Sequence, residues 1–297
     1  MSASAGSGSG TRRLVLLHAH PDDESIMTGG VIAAELAAGT EVVVVTFTLG
    51  EEGEVIGDEW AQLIADGGAD QLGGYRILEL TRALAALSPP DRLPLRPRFL
   101  GGAGRWRDSG MAGSPAADHP RALVNAPEAD PVDALVSILA EIAPQVVIGY
   151  DAAGTYGHPD HKMVHEVAEK AVPIAEARLG RAIKLYHSVT EQSALRAGLA
   201  AAADRVPAGW RFPAPDDLPS YRDDEITTEI DIREVYERKV EALRAHATQV
   251  TVAPSGTEFA LSNDILQPIT DHEHFILVGG TRPADGSRET DLFAGVV

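Results

Sequence analysis

The pattern of apolar and polar positions predicts alternating strands and helices in the first half of the chain. Mainly apolar runs at residues 14–18, 41–48 and 146–150 are typical of strands that are buried on both faces of a parallel sheet. Residues 26–38 have helical spacing and end at Gly39, a residue type that commonly terminates helices. This order predicts βαβ units, and therefore an α/β fold with a Rossmann-like, mainly parallel sheet flanked by helices.

Other stretches add helices and a short strand to this sheet. Helical patterns cover residues 131–142, the residues from about Lys162, and residues 58–87, where the glycine pairs 67–68 and 73–74 predict interruptions. We expect the first predicted helix to begin at Ser25 or Thr28, both of which can cap a helix. Residues 98–100, which follow a proline-rich connection, are predicted to form a short additional strand.

The pattern becomes less regular after Gly180, where it predicts strands at residues 183–187, 227–231 and 274–278 and a helix at 232–246. A proline-rich connector at residues 206–219 argues against further βαβ repeats. We therefore expect three parts: a flexible tail at residues 1–12, a Rossmann-like domain at 13–180 and a smaller α+β domain at 181–297.

Composition narrows the classes of protein that fit this pattern. The chain has 297 residues, of which 44% are hydrophobic, and its formal net charge is −19. Such a charge repels nucleic acids and anionic membrane surfaces, so neither is an expected partner. No apolar run approaches the ~18 residues that span a bilayer, and the first ten residues lack the features of a signal peptide. We expect a cytoplasmic protein with a small-molecule ligand, and a homo-oligomer is possible.

Polar residues follow two of the predicted strands, at the point where each strand ends. Residues 18–24 read HAHPDDE, and residues 156–161 read YGHPDH. Because ligands bind at the carboxyl ends of strands in open α/β sheets, we expect both segments to line one site. The prolines stiffen these turns. The chain has no cysteine, so any metal ligands are His, Asp or Glu.

A metal centre accounts for both segments. Catalytic Zn²⁺ takes three protein ligands and leaves one position for water, and His20, Asp23 and His161 meet that count. Asp22 and His158 then remain as a base and a stabiliser of charge. A solvated acidic loop would explain the first segment alone, but the second segment makes the metal centre the better interpretation.

These two motifs resemble those of the zinc-dependent sugar N-deacetylases that include the LmbE-like and PIG-L proteins. Residues 48–58, 71–76, 100–111 and 245–250 further resemble one member of that family. The resemblance covers nearly the whole chain except the first ~12 residues and a few loops, and the loop at residues 101–111 is its most specific part. It implies a metal-dependent hydrolase that removes the N-acetyl group of N-acetylglucosaminyl-inositol, a step of mycothiol biosynthesis.

The resemblance also implies a cofactor and roles for individual residues. It implies one Zn²⁺ per subunit, which Fe²⁺ or Co²⁺ can replace. Tyr156 is an additional donor to the oxyanion, and the C-terminal part packs over the metal site and closes the pocket. The residues expected to contact substrate are Arg76, Asp108, Met111, Glu54 and Gln249.

Several of these residues have a second interpretation. The arginines at positions 105 and 107 either bind hydroxyl groups or offset nearby acidic residues, and the composition of their loop looks too polar for a core. His246 and Gln249 either line the pocket or cap and pack a helix end. His18 is expected to be buried with one hydrogen bond, and Glu24 to support the turn by hydrogen bonds. His165 lies four residues after His161 and is a weaker metal candidate; His187, His272 and His274 have no assigned role.

Three other functions compete with the deacetylase. An amidase for mycothiol S-conjugates shares the metal motif, but we expect it to carry a lysine shortly after that motif, where this chain reads SIMTG at residues 25–29. A non-catalytic sugar-binding protein with a structural metal is disfavoured because structural sites usually have four protein ligands. A phosphohydrolase with two metal ions would need more bridging carboxylates than we can assign.

Overall fold

The computed structural model describes residues 11–65, 70–282 and 286–296. The predicted tail lies outside this part of the chain except for its last two residues, and so does the predicted break at residues 67–68. Among the described residues, no helix is both long enough and apolar enough to cross a membrane.

The strands of the described residues are β1 (Arg13–His18), β2 (Glu41–Thr46), β3 (Arg98–Phe99), β4 (Val146–Gly149), β5 (Lys184–Val189), β6 (Thr228–Asp231), β7 (Thr251–Val252), β8 (Glu258–Ala260), β9 (Gln267–Pro268) and β10 (His272–Gly279). The α-helices are α1 (Asp23–Ala38), α2 (Gln71–Leu87), α3 (Ala129–Ile142), α4 (Pro159–Leu179), α5 (Gln192–Ala202) and α6 (Tyr236–Ala245). Short 3₁₀ helices cover Asp58–Ile64, Pro115–Asp118, Leu123–Asn125 and Arg233–Val235. The sequence pattern did not indicate α5 or the short strands β7, β8 and β9.

Seven strands form one mainly parallel sheet in the order β3-β2-β1-β4-β5-β10-β6, which confirms the predicted fold class. The strands from β3 to β5 run parallel, and β10 is antiparallel to both β5 and β6. From β1 the chain builds outwards to β2 and β3 on one side, and β4 and β5 lie on the other. The carboxyl ends of β1 and β4 therefore meet at a topological switch point, where open α/β sheets bind ligands.

Alternating residues of β1 bury against helices on opposite faces of the sheet, as a strand period of two requires. Val15 and Leu17 pack in a core formed with α3 and α4. Leu14 and Leu16 pack in a second core, which includes residues of α1, α2 and the late strand β10. Because both faces are covered, the strand reads as an uninterrupted apolar run.

Strands from beyond residue 180 extend this same sheet, since β5, β10 and β6 form its far edge. A separate antiparallel sheet, β7-β8-β9, packs with α6 in a small third core. The predicted boundary at residue 180 thus falls inside one continuous hydrogen-bonded sheet, and the division into two domains stays a prediction.

Several helices differ from the predicted boundaries, and for α1, α2 and α4 the reasons are local. Helix α1 begins at Asp23 because the carbonyl of Asp22 accepts the first turn's amides, from Ser25 and Ile26. Helix α2 runs through the predicted break at Gly73, where a Cβ would come within 2.8 Å of the Glu51 side chain, so this glycine serves close packing rather than a break. Helix α4 begins at Pro159, which suits the first position of a helix.

A buried ion pair fastens α1 to α6 and β10. Lys239 on α6 donates to Glu273 on β10 at 2.7 Å, and both side chains are buried. The two carboxylate oxygens of Glu273 also accept from the backbone amides of Gly30 and Val31, each at 2.8 Å. At Gly30 a Cβ would lie 2.4 Å from the Ile232 side chain, so only glycine permits this close approach.

Candidate active site

The two segments that follow β1 and β4 meet at the switch point of the sheet. The hydroxyl of Tyr150, just after β4, accepts a hydrogen bond from the amide of Ala19 at 3.1 Å. The Tyr150 ring stacks on the ring of His161, with centroids 4.2 Å apart. One tyrosine therefore fixes the spacing between both predicted motifs.

His20, Asp23 and His161 lie together in this site. The Oδ2 atom of Asp23 is 3.4 Å from His20 Nδ1 and 3.4 Å from His161 Nε2. Two ligands of a tetrahedral zinc ion lie about 3.3 Å apart, given its bond lengths. His161 is almost fully buried, and neither of its ring nitrogens has a hydrogen-bond partner in the described part of the chain. A cation bound beside Asp23 would give the Nε2 atom of His161 a partner, so His20, Asp23 and His161 fit a metal site.

Two more carboxylates surround His20. Its Nε2 atom lies 3.3 Å from Asp160 Oδ2 and 3.5 Å from Asp108 Oδ1, and both aspartates are buried. Burial opposes a charge on His20, but these neighbours raise the pKa of its imidazole well above the ordinary value. His20, Asp108 and Asp160 form one group that could hold a cation, and His20, His158 and His161 form another. The excess negative charge favours a divalent cation here.

Asp22 has an unusual backbone conformation and an unusual environment. Its φ of 127° lies in the left-handed region, which a residue other than glycine rarely adopts, and such strain is typical of functional turns. Its Oδ2 atom lies 3.0 Å from Nη2 of Arg76. Burial raises the pKa of Asp22 to about 6, against the opposing effect of Arg76. A carboxylate with that pKa is a stronger base than an exposed one.

His158 caps the first turn of α4. Its Nδ1 atom accepts from the amide of Asp160 at 3.1 Å. Nδ1 therefore carries no proton, and Nε2–H is the donor. Burial, together with His20 and His161, lowers the pKa of His158 to about 3. The sequence predicts that His158 stabilises charge, and this tautomer provides a hydrogen-bond donor for that role while the ring is neutral.

Tyr156 lies at the open side of the site. Its ring centroid is 5.2 Å from that of His161 and 6.0 Å from that of His158, and half of the residue is exposed. Burial of its hydroxyl and the charge of Asp23 raise the pKa of Tyr156, so the phenol remains a hydrogen-bond donor.

The sequence profile of one family, described as PIG-L: GlcNAc-PI de-N-acetylase, matches residues 15–172, which is more than half of the chain. The chain belongs to the PIG-L family. This result confirms the resemblance seen in the two His-Pro-Asp motifs, and with it the class of N-deacetylases.

Relatives within this PIG-L family match over nearly the full length. A protein of Gordonia bronchialis named 1D-myo-inositol 2-acetamido-2-deoxy-alpha-D-glucopyranoside deacetylase is 68% identical over 283 residues, covering 95% of this chain and 100% of the relative. A protein of Nocardia farcinica with the same name is 58% identical, covering 96% of this chain and 97% of the relative.

A solved structure has the same fold as this PIG-L protein. It is GalB, the 4-carboxy-2-hydroxymuconate hydratase of Pseudomonas putida KT2440, with a TM-score of 0.56, covering 92% of this chain and 98% of that one. Its sequence is only 16% identical, so the likeness concerns the fold alone.

Arg76, a predicted substrate contact, lies inside the PIG-L protein rather than on its surface. Besides Asp22, its guanidinium donates to the carbonyl oxygens of Pro21 and Gly50. The residue is only 3% exposed. The contact with substrate stays a prediction, and these partners favour a role in holding Asp22. Gln249 lies beside it, where its Oε1 atom would be 2.5 Å from a Cβ placed at Gly53.

The other predicted substrate residues differ in their exposure. Asp108 is buried beside His20, and its Oδ1 atom also accepts from the amide of Gly110 at 2.8 Å. Met111 is 55% exposed, and Glu54 is also exposed. Met111 and Glu54 are thus available to a ligand, whereas Asp108 is buried beside His20.

The loop at residues 101–111 is more than a polar surface. Trp106, which we expected outside any core because of its polar neighbours, is buried and packs with the core against α3 and α4. Arg107 forms ion pairs with Glu52 and Asp70, and Arg105 pairs with Asp130 at 3.5 Å. These contacts match the interpretation in which the arginines offset acidic residues.

Two residues of the site were not singled out from the sequence. Asp160 is fully buried, and its Oδ2 atom accepts from the amide of Ser109 at 3.0 Å while facing His20. Its position between Pro159 and His161 was the available signal. The sequence predicts only a strand at Tyr150, and the two contacts of Tyr150 across the site depend on the tertiary fold.

A second group of hydrogen bonds supports the turn at Asp22. Glu24 accepts from the amide of Asp22 through Oε2 at 3.0 Å, and its Oε1 atom lies 2.7 Å from His246 Nε2. Both Glu24 and His246 are fully buried, and their attraction outweighs burial in raising the pKa of His246. Glu24 thus has the supporting position that we predicted, and His246 packs behind the turn.

Proposed function

We propose that this protein hydrolyses the N-acetyl group of N-acetylglucosaminyl-inositol, giving glucosaminyl-inositol and acetate, with zinc bound by His20, Asp23 and His161. The observation that carries the proposal is the unpartnered, buried Nε2 atom of His161 at 3.4 Å from Asp23 Oδ2, beside the strained Asp22. The substrate follows from the names of relatives that are 68% and 58% identical over nearly the full chain.

The side chains of the site have separate tasks in this reaction. When bound, the metal supplies Lewis-acid activation of the acetyl carbonyl and of the attacking water. Asp22 takes a proton from that water as the new C–O bond forms, and passes it to the nitrogen as the C–N bond breaks. The Nε2–H group of His158 and the hydroxyl of Tyr156 donate to the oxygen that becomes negatively charged. Arg76 holds Asp22 in place through its 3.0 Å contact.

We expect His158→Asn to lower kcat by about 10²–10³-fold, the usual cost of losing one oxyanion donor. Asparagine is a good helix cap, so the first turn of α4 keeps its partner while the Nε2–H donor is lost. The variant should retain its metal, measured by elemental analysis of the purified protein. An unchanged kcat, or loss of the metal together with activity, would contradict the donor role.

Substrate choice tests the proposed function. We expect kcat/KM for N-acetylglucosaminyl-inositol to exceed that for a bulky mycothiol S-conjugate by at least about tenfold, because a pocket shaped for the small acetyl group does not accommodate the long acyl chain of the conjugate. The measurement is release of acetate or of the free amine from each compound by the metal-loaded enzyme. A preference for the S-conjugate would assign the protein to the amidase function instead.

A further inference from the structure

A second cluster of possible metal ligands lies outside the active site. His165 and Glu169 project from α4, and His187 projects from the neighbouring strand β5; we name this set the α4–β5 cluster. One ligand atom from each residue lies within 4.8 Å of the other two. The helix residues are four positions apart, so they share one face of α4. The deacetylation described above uses none of these side chains.

Distances within the α4–β5 cluster suit a transition metal. His187 Nε2 is 3.2 Å from Glu169 Oε1, close to the separation of about 3.3 Å between two ligands of tetrahedral zinc. The rings of His165 and His187 have centroids 5.0 Å apart and are inclined at 67°, so they do not stack flat against each other. One ligand atom of each residue is within 4.8 Å of the other two, so the three residues are close enough to share one ion.

The hydrogen bond of His165 prepares its imidazole as a ligand. His165 Nδ1 lies 3.1 Å from the carbonyl oxygen of Tyr150, which can only accept. Nδ1 therefore carries the proton, and the lone pair of Nε2 is free for a cation, the arrangement found behind most metal-bound histidines. Burial lowers the pKa of His187, so its ring is neutral. Its Nε2–H group donates to the carboxylate of Glu169 at 3.2 Å, and this proton leaves Nε2 when a cation binds.

We propose that the α4–β5 cluster binds a second divalent transition-metal ion, such as Zn²⁺, and that this ion links α4 to β5. Side chains of Glu169 and His187 are 44% and 13% exposed, so an ion and a completing water molecule can reach them. In the described part of the chain, no lysine or arginine lies within ion-pair distance of Glu169. Glu191, Glu229 and His274 form another group of possible metal ligands. There Arg288 already pairs with both carboxylates, so that group is less suited to a cation.

Metal stoichiometry tests this site. Metal-depleted protein is dialysed against rising concentrations of free Zn²⁺, and bound zinc is counted by elemental analysis. We expect the unsubstituted protein to bind two ions. His187→Ala and Glu169→Gln should each lower the affinity of the second site for Zn²⁺ by at least about tenfold. The loss of a residue that only supports a metal ligand already lowers affinity by that much. Glu166→Gln, which removes an exposed charge from the same helix, should still bind two.

A second series separates this site from the active site. His161→Ala should lose the active-site ion and keep the one at the α4–β5 cluster, and adding His187→Ala should remove both. Zinc at the second site should also raise the thermal midpoint of the unsubstituted protein but not that of His187→Ala. One ion in the unsubstituted protein, or two in both His187→Ala and Glu169→Gln, would overturn the second site. Either result leaves the proposed deacetylation unaffected.

Discussion

Replacing Asp22 by asparagine is expected to lower kcat by about 10²–10⁴-fold, the usual contribution of a positioned general base. Asparagine has nearly the same shape but cannot accept the proton of the attacking water. Its side chain can still face Arg76, which lies 3.0 Å from the carboxylate of Asp22. Asparagine is also tolerated at positive φ better than most residues, so the turn with φ of 127° is expected to persist.

Metal content distinguishes this loss from damage to the metal site. Asp22→Asn should purify with near-normal zinc, whereas Asp23→Ala should lose it, because Asp23 Oδ2 lies 3.4 Å from a nitrogen of each histidine ligand. Both variants are measured for metal by elemental analysis and for kcat with N-acetylglucosaminyl-inositol. Loss of zinc in Asp22→Asn, with retention in Asp23→Ala, would exchange the roles of the two aspartates.

Replacing Glu273 by alanine is expected to lower the free energy of unfolding by about 3–5 kcal/mol, as removal of one partner from a buried ion pair does. The variant leaves the ammonium group of Lys239 buried without its partner at 2.7 Å. It also removes the acceptors of the Gly30 and Val31 amides inside α1. Denaturant unfolding, followed by circular dichroism, measures the change.

Two companion variants show whether the buried charge is the cause. Lys239→Met combined with Glu273→Leu removes both charges and should recover part of the lost stability. Glu141→Ala breaks the exposed pair with Arg98, where Glu141 is 64% exposed, and should leave the unfolding curve almost unchanged. A loss in Glu273→Ala as small as that in Glu141→Ala would show that the pair does not hold α1.

The parts of this protein that were predictable from sequence are those encoded within a few residues. The apolar runs before His20 and His158 predict buried strands, and the polar residues after them predict a site at the sheet edge. The sheet order then places both segments at the switch point. Local sequence was sufficient to predict this site because each strand is short and the site residues follow it directly in the next turn.

Other features depend on contacts between distant residues and were therefore missed. Trp106 lies among polar neighbours in sequence, yet it is buried in the core that also includes residues of α3 and α4. Arg76 matches a substrate contact by resemblance, but its partners Pro21, Asp22 and Gly50 come from two other loops. Burial of this kind follows from the three-dimensional arrangement, which local periodicity does not describe.

The hydrogen bond between His246 and Glu24 has a consequence for how the protein is made. The two residues are 222 positions apart, and Glu24 in turn holds the amide of Asp22. The turn that carries Asp22 emerges from the ribosome long before α6 does. His246 follows directly after the last residue of α6. The nascent chain can therefore expose both His-Pro-Asp motifs while the base still lacks its final support. Catalytic competence thus comes only after α6 and His246 have emerged.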